Sequence, residues 1–233
     1  NVIRWGIIKM ASIFSDKATI IIRTMLYTPD RKWVIRDFEK EFNISCGRTA
    51  TVLGVLRKKG FVTGTRSGRL AYSMLINKKE IIEEWNKFYN FDFNTTHLYY
   101  SPNKEVLEKL REYFTKRRLS DKYALTLHTG ANLITNYVNI DSVYCYLDSE
   151  DFKEISLDLR QGLDLKELKT GGNIFLIKPY YKKSVFLNRQ KIKGYSIVSN
   201  LQLYLDLYNF PQRGREHAEY LLRILREKGE SFV

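Results

Sequence analysis

Cysteine is nearly missing. Cys46 and Cys145 are the two in 233 residues, too few for a disulfide framework and without a CxxC spacing. Their apolar settings lead us to expect free core thiols in a reducing cytoplasm. Three scattered histidines suggest no tetrahedral metal site, and no cofactor is expected, since neither GxxxxGK[ST] nor GxGxxG occurs. Four prolines and 13 glycines leave little material for long flexible linkers. No apolar run reaches the roughly 18 residues that span a bilayer; the stretch 18–26 is interrupted by Arg23 and two threonines. The first residues carry no small-residue cleavage site after an apolar core, so no signal peptide is expected, and Met10 can be an internal start. There is no internal repeat and no low-complexity tract.

Acid is scarce in two places. The chain holds 39 Lys and Arg against 26 Asp and Glu, a net charge of +13, which points to a polyanion or an acidic protein surface. Between Glu41 and Glu80 there is no acidic residue, while Arg48, Arg57, Lys58, Lys59, Arg66, Arg69, Lys78 and Lys79 all fall there. A second acid-free window, 168–205, holds Lys178, Lys182, Lys183, Arg189, Lys191 and Lys193, interleaved with Tyr180, Tyr181, Phe186 and Tyr195. It reads as a docking face for an acidic partner, as a second nucleic-acid surface with rings for stacking, or as solvated lysines that guard strand edges.

Apolar spacing supplies the elements. Ser15 and Asp16 open a helix that stops before Pro29. A second runs over 36–42 with Phe38 and Phe42 on one face. Ser45 caps a third, 46–59, with Ala50, Leu53 and Leu56 inward and Gly60 ending it. Residues 61–63 and 70–76 read as a hairpin around the turn 66–69, with Leu70, Tyr72, Met74 and Ile76 on one side. A fourth helix, 78–89, is a connector, and 90–96 is the boundary. Beyond it we expect helices at 123–136, 151–159 and 213–228, one opened by Ser101-Pro102, and one over 201–208 with a Ser199/Gln202 capping box. Strands are expected at 142–147, 173–178, 184–187 and 195–198. The fold class is α/β (mixed α+β): a winged helix-turn-helix with connector over 1–92, and over 93–233 an α/β unit on a small sheet, or a degenerate nucleotidyltransferase-like fold.

The first acid-free window coincides with the third helix and wing. A recognition helix presents its first turns to base edges in the major groove. Arg48, Thr49, Thr51 and Val52 are the residues expected to face outward there, Arg48 toward guanine and the others toward thymine methyls. Ser45 and the helix start suit a phosphate. Arg57 and Lys58 would face the backbone, and Arg66 and Arg69 the minor groove or a phosphate. The expected partner is double-stranded DNA, bound by a monomer or a homodimer.

The run NISCGRTATVLGVLRKKGFVTGTRSGRLAYSML resembles the winged-helix part of AbiEi-type antitoxins of type IV toxin–antitoxin systems. So do YALTLHTGANLI, at 123–134, and the more specific tail VSNLQLYLDLYNFPQRGREHAEYLLR, at 198–223. The resemblance implies a cytoplasmic repressor of its own promoter, with a second domain that opposes a nucleotidyltransferase-like toxin. No enzyme is expected. Asp141 and Asp148 would flank one strand too far apart to share two Mg²⁺ ions, and His97, His128 and His217 have no partners in sequence; His128 reads as a core residue. The alternatives are a nucleotidyltransferase-like enzyme with a DNA-targeting module, and a protein-interaction module without DNA binding.

Overall fold

The computed structural model describes residues 13–65, 68, 71–139 and 141–232. The chain divides into two compact units, the first reaching Tyr89 and including Phe232, the second Asn90–Ser231. Among the described residues there are nine α-helices, a two-stranded sheet and a seven-stranded sheet. No described helix is long and apolar enough to cross a membrane.

The first unit is built on α1 (Asp16–Tyr27), α2 (Ile35–Phe42), α3 (Cys46–Lys58), the hairpin β1 (Val62–Thr63) and β2 (Met74–Leu75), and α4 (Lys78–Phe88). Its core is Ile21, Ile22 and Met25 of α1, Phe38 of α2, Leu53 and Leu56 of α3, and Trp85 of α4, each at most 2% exposed. Asn43, in the left-handed conformation, ends α2. Ser45 then caps α3 by accepting from the Arg48 amide at 3.4 Å. The far end of α3 closes on Gly60, at φ +75°. The Gly60 amide donates to the Arg57 carbonyl and that of Phe61 to Leu56, a Schellman ending. Trp33 adds a third strand segment by pairing with Ser73 through both backbone bonds.

Three expectations fail in this unit. Thr49 (0% exposed) and Val52 (3%) point into the core, whereas Ala50 points out. On β2 the buried side is Ser73 and Leu75, opposite to Tyr72, Met74 and Ile76; the ladder pairs Leu75 with the buried Val62 and so fixes the face. Cys46 is not a core thiol. It is half-exposed, and its Sγ–H donates to the Glu39 carboxylate at 3.2 Å, which pushes the thiol above its ordinary value.

The second unit contains β3 (Thr95–Tyr100), α5 (Val106–Lys116), β4 (Tyr123–Leu125), α6 (Leu127–Thr135), β5 (Val143–Leu147), α7 (Phe152–Gly162), β6 (Lys166–Glu167), β7 (Ile174–Lys178), β8 (Gln190–Ile192), β9 (Tyr195–Ile197), α8 (Asn200–Tyr208) and α9 (Gly214–Glu227). The sheet order is β6-β3-β7-β5-β4-β9-β8, with β5/β7 and β4/β9 parallel and the rest antiparallel. Phe114 of α5 stacks on Tyr123 at 4.0 Å, and Tyr123 pairs with Leu147. The next residue back, Tyr146, must face the other way, and its hydroxyl bonds Asp206 of α8 at 3.1 Å. Helices therefore cover both faces of the sheet.

This sheet is larger than expected. Four of its strands were unforeseen: β3, β4, β6 and β8. The helix expected over 123–136 is β4, a sharp turn with Leu127 at φ +48°, and then α6. Tyr123, Ala124 and Leu125 are buried on both faces, and a short central strand of this kind has no alternation to distinguish it from helix. Ser184–Phe186 is a 3₁₀ turn, not a strand. The helix after Pro102 begins only at Val106, because Ser101 and Asn173 exchange backbone-to-side-chain bonds at 2.9 and 2.8 Å that hold the chain extended. Ser199 caps α8, but the Gln202 side chain donates to Asp206 at 2.6 Å and leaves the capping box half made.

Candidate nucleic-acid interface

Burial fixes the phase of α3. With Thr49, Val52, Leu53 and Leu56 inward, the outward face runs Gly47, Ala50, Thr51, Gly54 and Lys58 at helical spacing, with Arg48 on one flank. Ser45, Gly47, Arg48, Ala50, Thr51 and Lys58 are exposed. The Thr51 hydroxyl donates back to the Gly47 carbonyl at 2.9 Å, which leaves its methyl as the outward contact. The middle of this face therefore carries no long side chain.

The acids around it are already engaged. Glu41 takes Arg31 at 2.5 Å, Glu39 takes the Cys46 thiol, Asp37 takes the Val34 amide at 3.0 Å, and Glu84 takes Lys59 at 2.9 Å. Arg48, Lys58 and Arg36 have no ion-pair partner among the described residues. Arg36 lay outside the acid-free window, masked by the acids of its own helix, and nothing in the sequence marked it. A groove of about 580 Å³ separates the face from the hairpin, with Ala50, Gly54 and Lys58 on one side and Tyr72 and Arg36 on the others. Lys32 Nζ sits 4.9 Å over the Tyr72 ring. Arg57 departs from its expected role: it is half-buried, and its guanidinium donates to Ser73 Oγ at 2.7 Å, tying α3 to the hairpin. Arg66 and Arg69 lie outside the described residues.

In the second unit the window 168–205 does not form one face. Lys178 ends β7 and Tyr180, Lys182 and Lys183 follow it, whereas Lys191 lies in the edge strand β8 and Arg189 and Lys193 flank that strand. Tyr181 is 1% exposed and anchors the turn, so it is no docking residue. Asp141 and Asp148 stand at opposite ends of β5; Asp148 faces Lys122 at 4.0 Å and accepts from the Glu150 amide at 2.9 Å. No group of three or more His, Cys, Asp or Glu able to hold a metal occurs among the described residues.

Two histidines far apart in sequence do meet. The rings of His128 and His217 stack at 5.1 Å with Nδ1 atoms 2.8 Å apart; His128 lines a cavity of about 630 Å³ with Tyr137, Asp141 and Arg213, and His217 is buried behind it. The Thr135 hydroxyl is 2.8 Å from His217 Nε2 and 3.0 Å from the Ala131 carbonyl. If its proton goes to His217, then His217 Nδ1–H donates to His128 Nδ1. His128 Nε2–H then donates to the Gln212 carbonyl at 3.2 Å, and every group is satisfied with both rings neutral. Protonating both rings sets two N–H groups against each other. Burial, His128 and Arg213 push His217 down to about 4; burial, then Arg213, lowers His128 against the raising effect of the Gln212 bond. With folded values below the unfolded one, the unfolded chain binds more protons. Stability from this pair is complete above about pH 6.5 and is lost as pH falls toward 4. Wild type should lose roughly 2 kcal/mol more than His217→Asn between pH 7 and 4.5, read by urea unfolding at each pH. Parallel pH profiles would refute the pairing.

A first unit with a cationic, small-residue helix set after a capped turn and beside a hairpin, and a second unit built as a three-layer mixed sheet, define the class: a two-unit protein whose exposed helix face suits a polyanion. The chain belongs to the AbiEi antitoxin family of type IV toxin–antitoxin systems; the family model described as "Transcriptional regulator, AbiEi antitoxin, Type IV TA system" matches residues 74–226. The match takes in the segments 123–134 and 198–223, and it begins after α1, α2 and α3. No curated protein and no solved structure matches the chain.

Proposed function

We propose that the protein is a sequence-specific DNA-binding repressor of its own promoter, working in the cytoplasm, whose second unit opposes a toxin. In this reading α1 to α3 with the hairpin form a winged helix-turn-helix, and α3 is the recognition helix. The observation that carries it is the outward face of α3, where Arg48 and Lys58 stand exposed without an ion-pair partner among the described residues. Arg48 reaches a base edge, the methyls of Ala50 and Thr51 meet thymine methyls, Ser45 and the α3 amides take a phosphate, and Lys58 and Arg36 take flanking phosphates. Arg66 and Arg69 would extend the grip from the wing. The family description supports the regulatory role and implies the toxin, for which a nucleotidyltransferase-like protein is the expected partner. The second unit serves binding, not catalysis, in this reading, and a homodimer would match an inverted-repeat operator.

The test is a titration of the gene's upstream duplex and a scrambled duplex across salt. Arg48→Ala should lose about 2 kcal/mol of discrimination between them, roughly 30-fold. Lys58→Ala should weaken both equally and reduce the salt slope by about 1. Unchanged affinity and preference in Arg48→Ala would remove α3 from the interface.

A further inference from the structure

The C-terminal turn of α5, the loop after it and the edge strand β8 enclose a concave site of about 380 Å³ in the second unit. Arg118, Arg189 and Lys191 line it, with Thr115, Ser120 and the single acid Asp121. Arg189 immediately precedes the edge strand β8 and Lys191 lies within it, and both line the site. The Arg189 guanidinium is held by donating to the Asp121 backbone carbonyl. Arg118 closes α5 in the left-handed conformation, φ +58°, where glycine is the usual occupant. Its amide bonds the Thr115 carbonyl and the Leu119 amide bonds that of Phe114, so the guanidinium leaves a fixed turn. A strained arginine at a concave site is a functional signal.

The surrounding acids are occupied. Asp158 takes Arg117 at 3.0 Å, Glu112 takes Lys116 at 3.2 Å and Asp151 takes Lys122 at 2.7 Å. Arg118 and Lys191 have no ion-pair partner among the described residues. Three cations thus face one carboxylate, beside the Ser120 hydroxyl, while the Thr115 hydroxyl donates to the Arg111 carbonyl at 2.8 Å. One arginine suffices for the carboxylate of an acidic protein, whereas three cations around one hollow match the three oxygens of a phosphoryl group.

We propose that this cleft binds phosphate, borne either by a small phosphorylated ligand or by a nucleic-acid backbone. The site is separate from α3 and does not depend on the duplex-binding reading. The test is amide NMR on the full ¹⁵N-labelled chain, titrated with inorganic phosphate at constant ionic strength. Saturable shifts are expected at Arg118, Ser120, Asp121 and Lys191, and the double variant Arg118→Gln, Lys191→Gln should weaken binding about tenfold or more. A second arm uses a short single-stranded RNA on an Arg48→Ala, Lys58→Ala background, which disables α3. If a backbone is the source, the RNA binds far more tightly than phosphate and its salt slope falls by about 1.4 in the double variant. If the source is a small ligand, the RNA binds no better than phosphate. Absent shifts at these amides, equal affinity in the double variant, or stronger competition by polyglutamate than by phosphate would each overturn the proposal. Failure of the α3 reading would appear only in the duplex titration and would leave these shifts intact.

Discussion

Asp206→Ala is expected to lower the unfolding free energy of the second unit by about 4 kcal/mol. The carboxylate is fully buried between α8 and the sheet. It accepts from Thr126 Oγ1 at 2.5 Å, from the Tyr146 hydroxyl at 3.1 and 3.2 Å, and from Gln202 Nε2 at 2.6 Å. Thr126, Tyr146 and Gln202 are themselves 0% exposed. Alanine removes the acceptor that three buried donors share, and each such loss costs about 1–3 kcal/mol, less than additively where they share a site. Asp206→Asn keeps one acceptor oxygen but turns an NH₂ toward a donor, so a loss of roughly 2 kcal/mol is expected. Urea unfolding followed by circular dichroism measures the loss. Hydrogen exchange in α6 and α8 localises it, because Thr126 leads into α6 and Gln202 lies on α8. A loss under about 1 kcal/mol would mean that the donors find other partners, and the network would then not be what fixes α8 to the sheet.

That network shows where sequence reading reaches its range. Thr126, Tyr146 and Asp206 come from three distant segments, and no local pattern joins them. The same holds for His128 with His217, and for Arg118 with Lys191. What was legible is local chemistry. Ser45 and Ser199 sit where they cap helices, Gly60 ends α3 at positive φ, and the elements around Phe38, Leu53 and Leu56 follow from spacing. The phase of α3 was not legible. Gly47, Ala50, Thr51 and Gly54 give its outer face little polarity contrast with the inner one, so packing against α1 and the hairpin decided that Thr49 and Val52 go in. Thr95 and Thr96, the first residues of β3, belong to the polar, aromatic stretch 90–96 that reads as a boundary, and no local pattern marks the rest as a strand. The place of β3 in the sheet comes from five register pairs with β7, a long-range fact. Charge was legible as a window, yet it resolved into two separate clusters once β7 and β8 took different positions in the sheet.

Gly54→Glu should separate binding from folding more sharply than any loss of a contact residue. A Cβ at Gly54 would meet nothing within 4 Å, as at Gly47, and the position is interior to α3 on its outward side. Helix propensity then acts alone. Glycine costs a helix interior about 0.5–1 kcal/mol relative to a residue such as glutamate, so the variant should unfold at equal or higher urea concentration. On the proposed interface the same side chain lies between Ala50 and Lys58, where the helix backbone approaches the groove closely. It would hold the helix away from the bases and set a negative charge against phosphates. Duplex affinity should fall more than about 100-fold at moderate salt, whereas Gly54→Ala should fall by less than about tenfold. Anisotropy with the upstream duplex measures both, and unfolding curves on the same samples confirm that neither is a folding defect. If Gly54→Glu binds the duplex as wild type does, then α3 lies outside the interface, and Arg48 and Lys58 are solvated charges on a helix with another purpose.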